Sequence, residues 1–256
     1  MKLASWNVNS IRSRMERVLP WLEEHAPDAL CLQETKVEDD KFPRDELEAA
    51  GYQLAVFGQK TYNGVAIAAR SEITDVARGF EDGDDDGGAR FIAGTVMGVR
   101  VMSAYIPNGK HVEHDDYQFK LGWLERLRAY LAARHSPDDA LVLCGDFNVT
   151  TDDRDVHDPA AWEGENLCSE PERERLRGLL EWGLIDPLRL LHDEPGIYSW
   201  WDYRMLGFPK NRGLRIDYTF VSRGLRERVG AAYVDRNARK GTKPSDHAPV
   251  IVELSP

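Results

Sequence analysis

The stretch Ala140–Thr150, ALVLCGDFNVT, decides the fold class and the place to look for chemistry. An apolar run that ends in Gly145, Asp146, Phe147 and Asn148 reads as a buried strand presenting polar groups at its end. With side chains alternating, Asp146 and Asn148 share one face while Phe147 packs inward. A carboxylate beside a neutral amide can orient a water and accept its proton without adding a second repelling charge. Asp and Asn are also ordinary turn residues after a strand, so this stretch alone serves either reading.

Outward from it, further short β-branched or apolar runs read as strands: Lys2–Val8, Asp28–Gln33, Tyr52–Phe57, Val65–Ala69, Phe91–Met97, Val99–Tyr105, Ala140–Cys144 itself, Ile216–Val221, Val229–Val234 and Pro249–Leu254. Gly98 between two of them predicts a hairpin. Helical spacing links Ile11, Met15, Val18 and Leu22, with Pro20 expected to kink or restart that helix. Tyr117, Leu121, Leu124, Leu127 and Leu131 form a second stripe. Ser169 and Glu172 around Pro171 form a capping-box pattern, and Gly183 follows that helix's last turn. Ten strands mixed with a few helices predict an α/β fold, two packed β-sheets with helices outside. Two connections, Val149 to about Ser169 and His192 to Arg215, are long enough to suggest function. Glu81–Gly88, EDGDDDGG, is expected to be a mobile acidic surface loop.

No Ser/Gly or Pro-rich linker divides the 256 residues, so a single domain over 1–256 is expected. No apolar run reaches the about 18 residues of a membrane span, and MKLASWNVNS lacks the regions of a signal peptide. Three cysteines, Cys31, Cys144 and Cys168, with no C-x-x-C pair speak against a disulfide framework or a zinc site and for a reducing cytoplasm. The net charge of −11 speaks against a polyanionic partner, but Trp200–Lys243 holds 11 Lys/Arg against 4 Asp/Glu, leaving 22 against 40 elsewhere. That block permits a one-sided nucleic-acid surface and equally suits an ordinary solvated face.

Four other pieces place polar groups at strand ends. KPSDHAPVIVEL sets Asp246 and His247 just before a strand, where a histidine can donate to a phosphate oxygen. Asp217 stands inside the apolar run GLRIDYTFVS, where an acid is costly unless paired. LCLQETK ends a buried strand in Glu34, a ligand type for a hard cation. SWNVN puts Asn7 and Asn9 on one face of the first strand. Each has a plain reading as a strand-end polar residue; five together point to a site.

The ordered motifs SWNVN, LQETK, AYIPNG, GDFN, NRGLRID and PSDH, running from Lys2 to Val250, resemble the exodeoxyribonuclease III family of bacterial AP endonucleases, within the endonuclease/exonuclease/phosphatase superfamily. SWWDYR, just before NRGLRID, favours that branch over lipid phosphatases. The resemblance implies a four-layer α/β sandwich and a Mg²⁺-dependent hydrolase, with Mn²⁺ able to substitute; a monomer is assumed. Its implied substrate is duplex DNA with abasic sites, nicks or 3′ ends, cut 5′ to the lesion or trimmed from the 3′ end. By the same resemblance Glu34, with Asn7 and Asn9, holds the metal, with Asp146, Asn148 and His247 among the metal-site residues and Asp246 a ligand for a second or migrating metal. Asp146 aligns and deprotonates water and Asn148 holds water or phosphate. His247, oriented by Asp217, stabilises the phosphate, and Tyr105 touches it or assists the leaving group.

Substrate choice is expected in the loops. Trp200, Leu214 and Ile216 resemble a pocket for a flipped abasic sugar, with core packing the competing reading for Ile216. Arg204, Lys210, Arg212 and Arg215 are expected on phosphates. Lys110 and His111 resemble a DNA-penetrating loop, and His157 is a bulky departure that narrows the pocket. Two other functions stay open: a superfamily phosphatase acting on a small or lipid phosphate, and a DNA-binding scaffold without catalysis.

Overall fold

The computed structural model describes residues 1–84 and 86–256. The strands are β1 (Lys2–Asn7), β2 (Ala29–Gln33), β3 (Gln53–Phe57), β4 (Val65–Ala69), β5 (Ile73–Arg78), β6 (Phe91–Val96), β7 (Val99–Tyr105), β8 (Leu141–Asp146), β9 (Leu184–Ile185), β10 (Asp217–Ser222), β11 (Val229–Val234) and β12 (Val250–Leu254). The helices are α1 (Ile11–His25), α2 (Arg44–Ala49), α3 (Asp115–Arg134), α4 (Pro159–Trp162), α5 (Glu170–Trp182) and α6 (Pro187–Leu191).

Two six-stranded sheets form, in the orders β11-β12-β1-β2-β4-β3 and β5-β6-β7-β8-β10-β9. Each contains one parallel pair, β1–β2 and β7–β8, spanned by α1 and α3 respectively; the other pairings are antiparallel. Leu3, Cys31, Ile67, Val101, Cys144 and Val252 pack between the sheets. Trp6, Val18, Leu22 and Leu32 join α1 to the first sheet, and Phe91, Leu124, Leu127 and Leu143 join α3 to the second. A strand covered by a sheet on one face and a helix on the other is apolar throughout, as in VAIAA of β4, all buried. The expected α/β sandwich of two mixed sheets flanked by helices is therefore present.

The pairing brings the site together. Parallel strands deliver their C-terminal ends to one edge, and antiparallel neighbours deliver their N-terminal ends to the same edge. Asn7 ends β1 opposite Gln33 of β2; Tyr105 ends β7 opposite Asp146 of β8; Asp217, opening β10, also lies opposite Asp146. Gly145 lets β7 and β8 come this close, since a Cβ there would sit 2.0 Å from the Ala104 carbonyl oxygen.

Several expectations need correction. α1 runs unbroken through Pro20; Pro20 and Glu16 are both exposed, so the carbonyl deprived of its partner faces solvent. Asn9 lies beyond β1 with φ 45°, so it does not share a strand face with Asn7. β5 and the two-residue β9 escaped the sequence reading; β5 is an edge strand whose side chains are mostly exposed. In the described part of Glu81–Gly88 (Asp85 lies outside the described residues), an exposed acidic loop as expected over 81–84, Arg126 bonds the Asp82 and Asp86 carboxylates at 2.6 and 2.7 Å, and Asp86 accepts the Phe80 N–H. The two long connections carry α4 and short 3₁₀ turns, and Trp200 bridges to Leu214 and His247. The Met97–Gly98 turn, with φ 52° and 78°, and the Ser169/Glu172 capping box form as expected.

Candidate active site

At the shared edge Asn7 spans two carboxylates: its Nδ2 donates to Glu34 Oε1 at 2.8 Å and to Asp146 Oδ2 at 2.9 Å. Glu34 takes a left-handed φ of 51° just past β2, which turns its side chain back over the strand ends, and Lys36 Nζ sits 2.7 Å from Oε2. Asp146 is wholly buried; its Oδ1 accepts the Asn148 backbone N–H at 3.0 Å across a turn in which Asn148 has φ 50°. Both readings of GDFN thus hold at once: a turn, made by the same residues that converge on the site. Phe147 packs into the core against Tyr218 and Phe220.

His247 lies just ahead of β12, its Nδ1 2.9 Å from Asp217 Oδ2 and its Nε2 3.8 Å from Asp146 Oδ2. Asp217 Oδ2 also accepts from Ser199 Oγ at 2.6 Å, and that oxygen accepts the Ile216 and Asp217 backbone N–H groups. Burial lowers the imidazole pKa, but the charges of Asp217 and then Asp146 outweigh it and raise it to about 10. Burial raises the Asp146 pKa to about 7, with Asp217 and Glu34 adding to the rise and His247 opposing it. Burial likewise raises the Tyr105 phenol well above its usual value, with Glu34 and Asp146 adding to it; the Arg90 guanidinium stacks 4.9 Å from the Tyr105 ring centre.

Oxygen and nitrogen atoms of Glu34, Asp146 and His247 lie within 4.8 Å of one another. Two convergent carboxylates, Glu34 and the buried Asp146, fit a hard divalent cation. Asp246 stands apart from this group, held by Asn9 Nδ2 at 2.9 Å and Trp200 Nε1 at 3.1 Å. Asn148 is engaged at both ends of its amide, accepting from Asn108 Nδ2 at 2.9 Å and donating to the Ile106 carbonyl at 3.0 Å. Ser199, Asn108, Lys36 and Arg90 were missed as members of the site, although AYIPNG and LQETK contain two of them.

A cleft of about 940 Å³ opens near the centre, lined among others by Asn108, Lys110, His157, Trp162, Trp200, Arg204 and Arg212. Lys210 and His111 are exposed nearby in sequence. Leu214 and Ile216 are buried with Val156, Leu167 and Cys168, and Trp200 packs on that cluster. Arg215 does not face the cleft: it is buried, with Nε 2.7 Å from Asp155 and Nη2 2.7 Å from Asp186. The basic block is likewise dispersed, since Arg223 pairs with Asp138 and Arg228 bonds the Ser255 carbonyl.

A carboxylate–imidazolium pair beside a two-carboxylate cation site, set in a polar cleft at the end of a two-sheet sandwich, defines a metal-dependent hydrolase of phosphate esters. The sequence pattern of the Endonuclease/Exonuclease/phosphatase family matches residues 4–247. Exodeoxyribonuclease III of Haemophilus influenzae is 34% identical over 266 residues, covering 99% of this chain and 100% of the relative. A 3′ phosphatase from Neisseria, solved with a product DNA hairpin, is 41% identical with TM-score 0.96, covering 100% of this chain and 99% of that one. An AP endonuclease from Archaeoglobus fulgidus is 40% identical with TM-score 0.96, covering 99% of each chain. The chain belongs to the endonuclease/exonuclease/phosphatase family, in its exodeoxyribonuclease III branch of DNA repair nucleases.

Proposed function

We propose that this chain, acting as a monomeric single domain, hydrolyses phosphodiesters 5′ to abasic sites and removes 3′ nucleotides or 3′-blocking groups from duplex DNA with Mg²⁺, for which Mn²⁺ can substitute. The observation that carries this is the buried Asp217–His247 pair beside Asp146. Glu34 and Asp146, with Asn7, would hold the cation, while Asp246 is held apart by Asn9 and Trp200. The cation supplies charge neutralisation at the phosphate and stabilises the leaving oxygen.

The chain's own groups do the rest. Asp146, buried beside His247 Nε2, would take a proton from the attacking water. Asn148 orients that water or a phosphate oxygen. His247, kept protonated by Asp217, donates to the phosphate as charge builds there. Tyr105, neutral at working pH, donates a hydrogen bond to phosphate or leaving group. Trp200 lines the cleft and would face the sugar, with Leu214 and Ile216 as buried core beneath it rather than pocket wall, while Arg204, Lys210, Arg212, Lys110 and His111 would meet the DNA backbone. The test is parallel kinetics on an abasic duplex, a nick with a 3′-phosphate and a blunt 3′ end, with a phosphoinositide as control. Turnover of the lipid with none of the DNA substrates overturns the proposal.

A further inference from the structure

Lys120 of α3 and Glu172 of α5 are both fully buried and ion-paired, yet neither belongs to the catalytic centre. Such a pair is a poor source of stability, because desolvating two charges offsets most of their attraction. Burial pulls the Lys120 pKa down, while the charge of Glu172 opposes it. The partners of the pair suggest what it is for. Lys120 Nζ donates to the Asn148 carbonyl at 2.6 Å, the Asn108 carbonyl at 3.1 Å and Asn166 Oδ1 at 3.1 Å. Glu172 accepts the backbone N–H groups of Leu167 at 3.2 Å and Ser169 at 3.1 Å, and bonds the Ser169 hydroxyl. One ammonium–carboxylate pair therefore ties together three loop segments: 106–110, 147–150 and 166–169. The first two carry Asn108 and Asn148, whose side chains bond each other, and Asn148 holds a left-handed conformation without being glycine.

We propose that Lys120, anchored by Glu172, is a positioning residue for phosphodiester hydrolysis: its ammonium grips the Asn108 and Asn148 carbonyls and so holds in place Asn148, whose backbone N–H bonds Asp146 and whose side-chain amide bonds Asn108. This rests on the role given to Asn148 above. A pair that only fastened α3 to α5 would affect stability and leave turnover alone.

Lys120→Met alone strands a buried carboxylate and is expected to lower the melting temperature by about 10 °C, so it cannot separate the two roles. The pair Lys120→Met/Glu172→Gln removes both charges. It is expected to melt closer to the parent, with kcat on a 3′-phosphate nick down about 10–100-fold and KM within about twofold, as for a small displacement of a reacting group. Asn148→Ala, damaging in the parent, is expected to add little on this background, because the amide is already misplaced. Lys120→Gln/Glu172→Gln keeps an amide donor and is expected to recover part of the lost turnover. Should the Met/Gln pair not fold, the Gln/Gln pair is compared with the parent instead. Parent-level kcat in a folded double variant, no recovery by the Gln donor, or full multiplication with Asn148→Ala overturns the proposal. A harmless Asn148→Ala in the parent overturns it by a distinguishable route, since that result removes the role of Asn148 itself.

Discussion

His247 Nδ1 lies 2.9 Å from Asp217 Oδ2, and the same carboxylate oxygen takes a 2.6 Å hydrogen bond from Ser199. Asp217 is thus fixed from two sides, by a hydroxyl and by the imidazole. Burial alone would keep the imidazole neutral; Asp217, followed by Asp146, reverses that and holds it protonated to about pH 10. The pair fixes both the orientation and the charge of the imidazole.

Asp217→Asn is expected to leave the protein folded and to lower kcat by about 10²–10⁴ with little change in DNA affinity. His247→Asn is expected to cost a similar amount, and the double variant little more than either single, because the two act as one unit. Single-turnover kinetics with thermal melting on the three variants checks this. Fully additive losses would sink the dyad.

The same pair sets a pH dependence of stability. The folded-state pKa of His247 is raised above its unfolded value, so its contribution is fully present below about pH 6.5 and is lost as pH rises through about 10. Denaturant midpoints measured from pH 6 to 10 on metal-free protein are expected to fall more steeply for the parent than for Asp217→Asn. Parallel curves would mean the imidazole gains nothing from Asp217.

Much of this centre was legible because each residue sits at a strand end, where sequence shows an apolar run stopping at an acid, amide or histidine. Asp217 was readable as an acid needing a partner, and His247 is that partner. What stayed hidden depends on pairings far apart in the chain. Arg215 looks like any other arginine of a basic loop until Asp155, 60 residues earlier, is folded against it. Lys120 sits in what reads as the stripe of α3, and Glu172, 52 residues on, already had a sufficient reading as a helix cap. β5 lacked a signal because its exposed edge has no apolar alternation.

Metal removal offers a direct test of the cation site. EDTA is expected to abolish turnover and Mg²⁺ to restore it, while Glu34→Gln raises the Mg²⁺ concentration required. In metal-free protein the Asp146 carboxyl is expected to titrate near pH 7, and Mg²⁺ to move that titration downward, since a bound cation favours the charged form. Carboxyl ¹³C NMR reads this without turnover. An Asp146 titration indifferent to Mg²⁺ would place the metal elsewhere.

His157 lines the cleft with its ring 6.4 Å from that of Trp162 and its Nδ1 3.2 Å from the Gly213 carbonyl. If an extruded sugar enters this cleft, as proposed above, the ring competes with it for room. His157→Gly is therefore expected to raise abasic-site incision relative to 3′-phosphate removal by about tenfold. An unchanged ratio of the two kcat/KM values would mean the ring does not border the sugar.

Arg212 and Arg215, neighbours in one loop, are expected to respond in opposite ways. Arg212 is exposed at the cleft, so Arg212→Ala is expected to leave the melting temperature within about 2 °C. The same variant should flatten the slope of log K against log [salt] by roughly one unit, because a single phosphate is no longer neutralised. Arg215 is buried between Asp155 and Asp186 with its guanidinium 4.6 Å over the Tyr218 ring, and Arg189 is Asp155's other cationic partner. Removing it leaves carboxylates in the interior short of charge, which costs about 3–5 kcal/mol. Arg215→Ala should therefore melt well below the parent, while whatever remains folded binds DNA with the parental salt slope. Melting curves and salt titrations on both variants decide the matter. A stable Arg215→Ala protein with a flattened slope would put that guanidinium on the DNA after all.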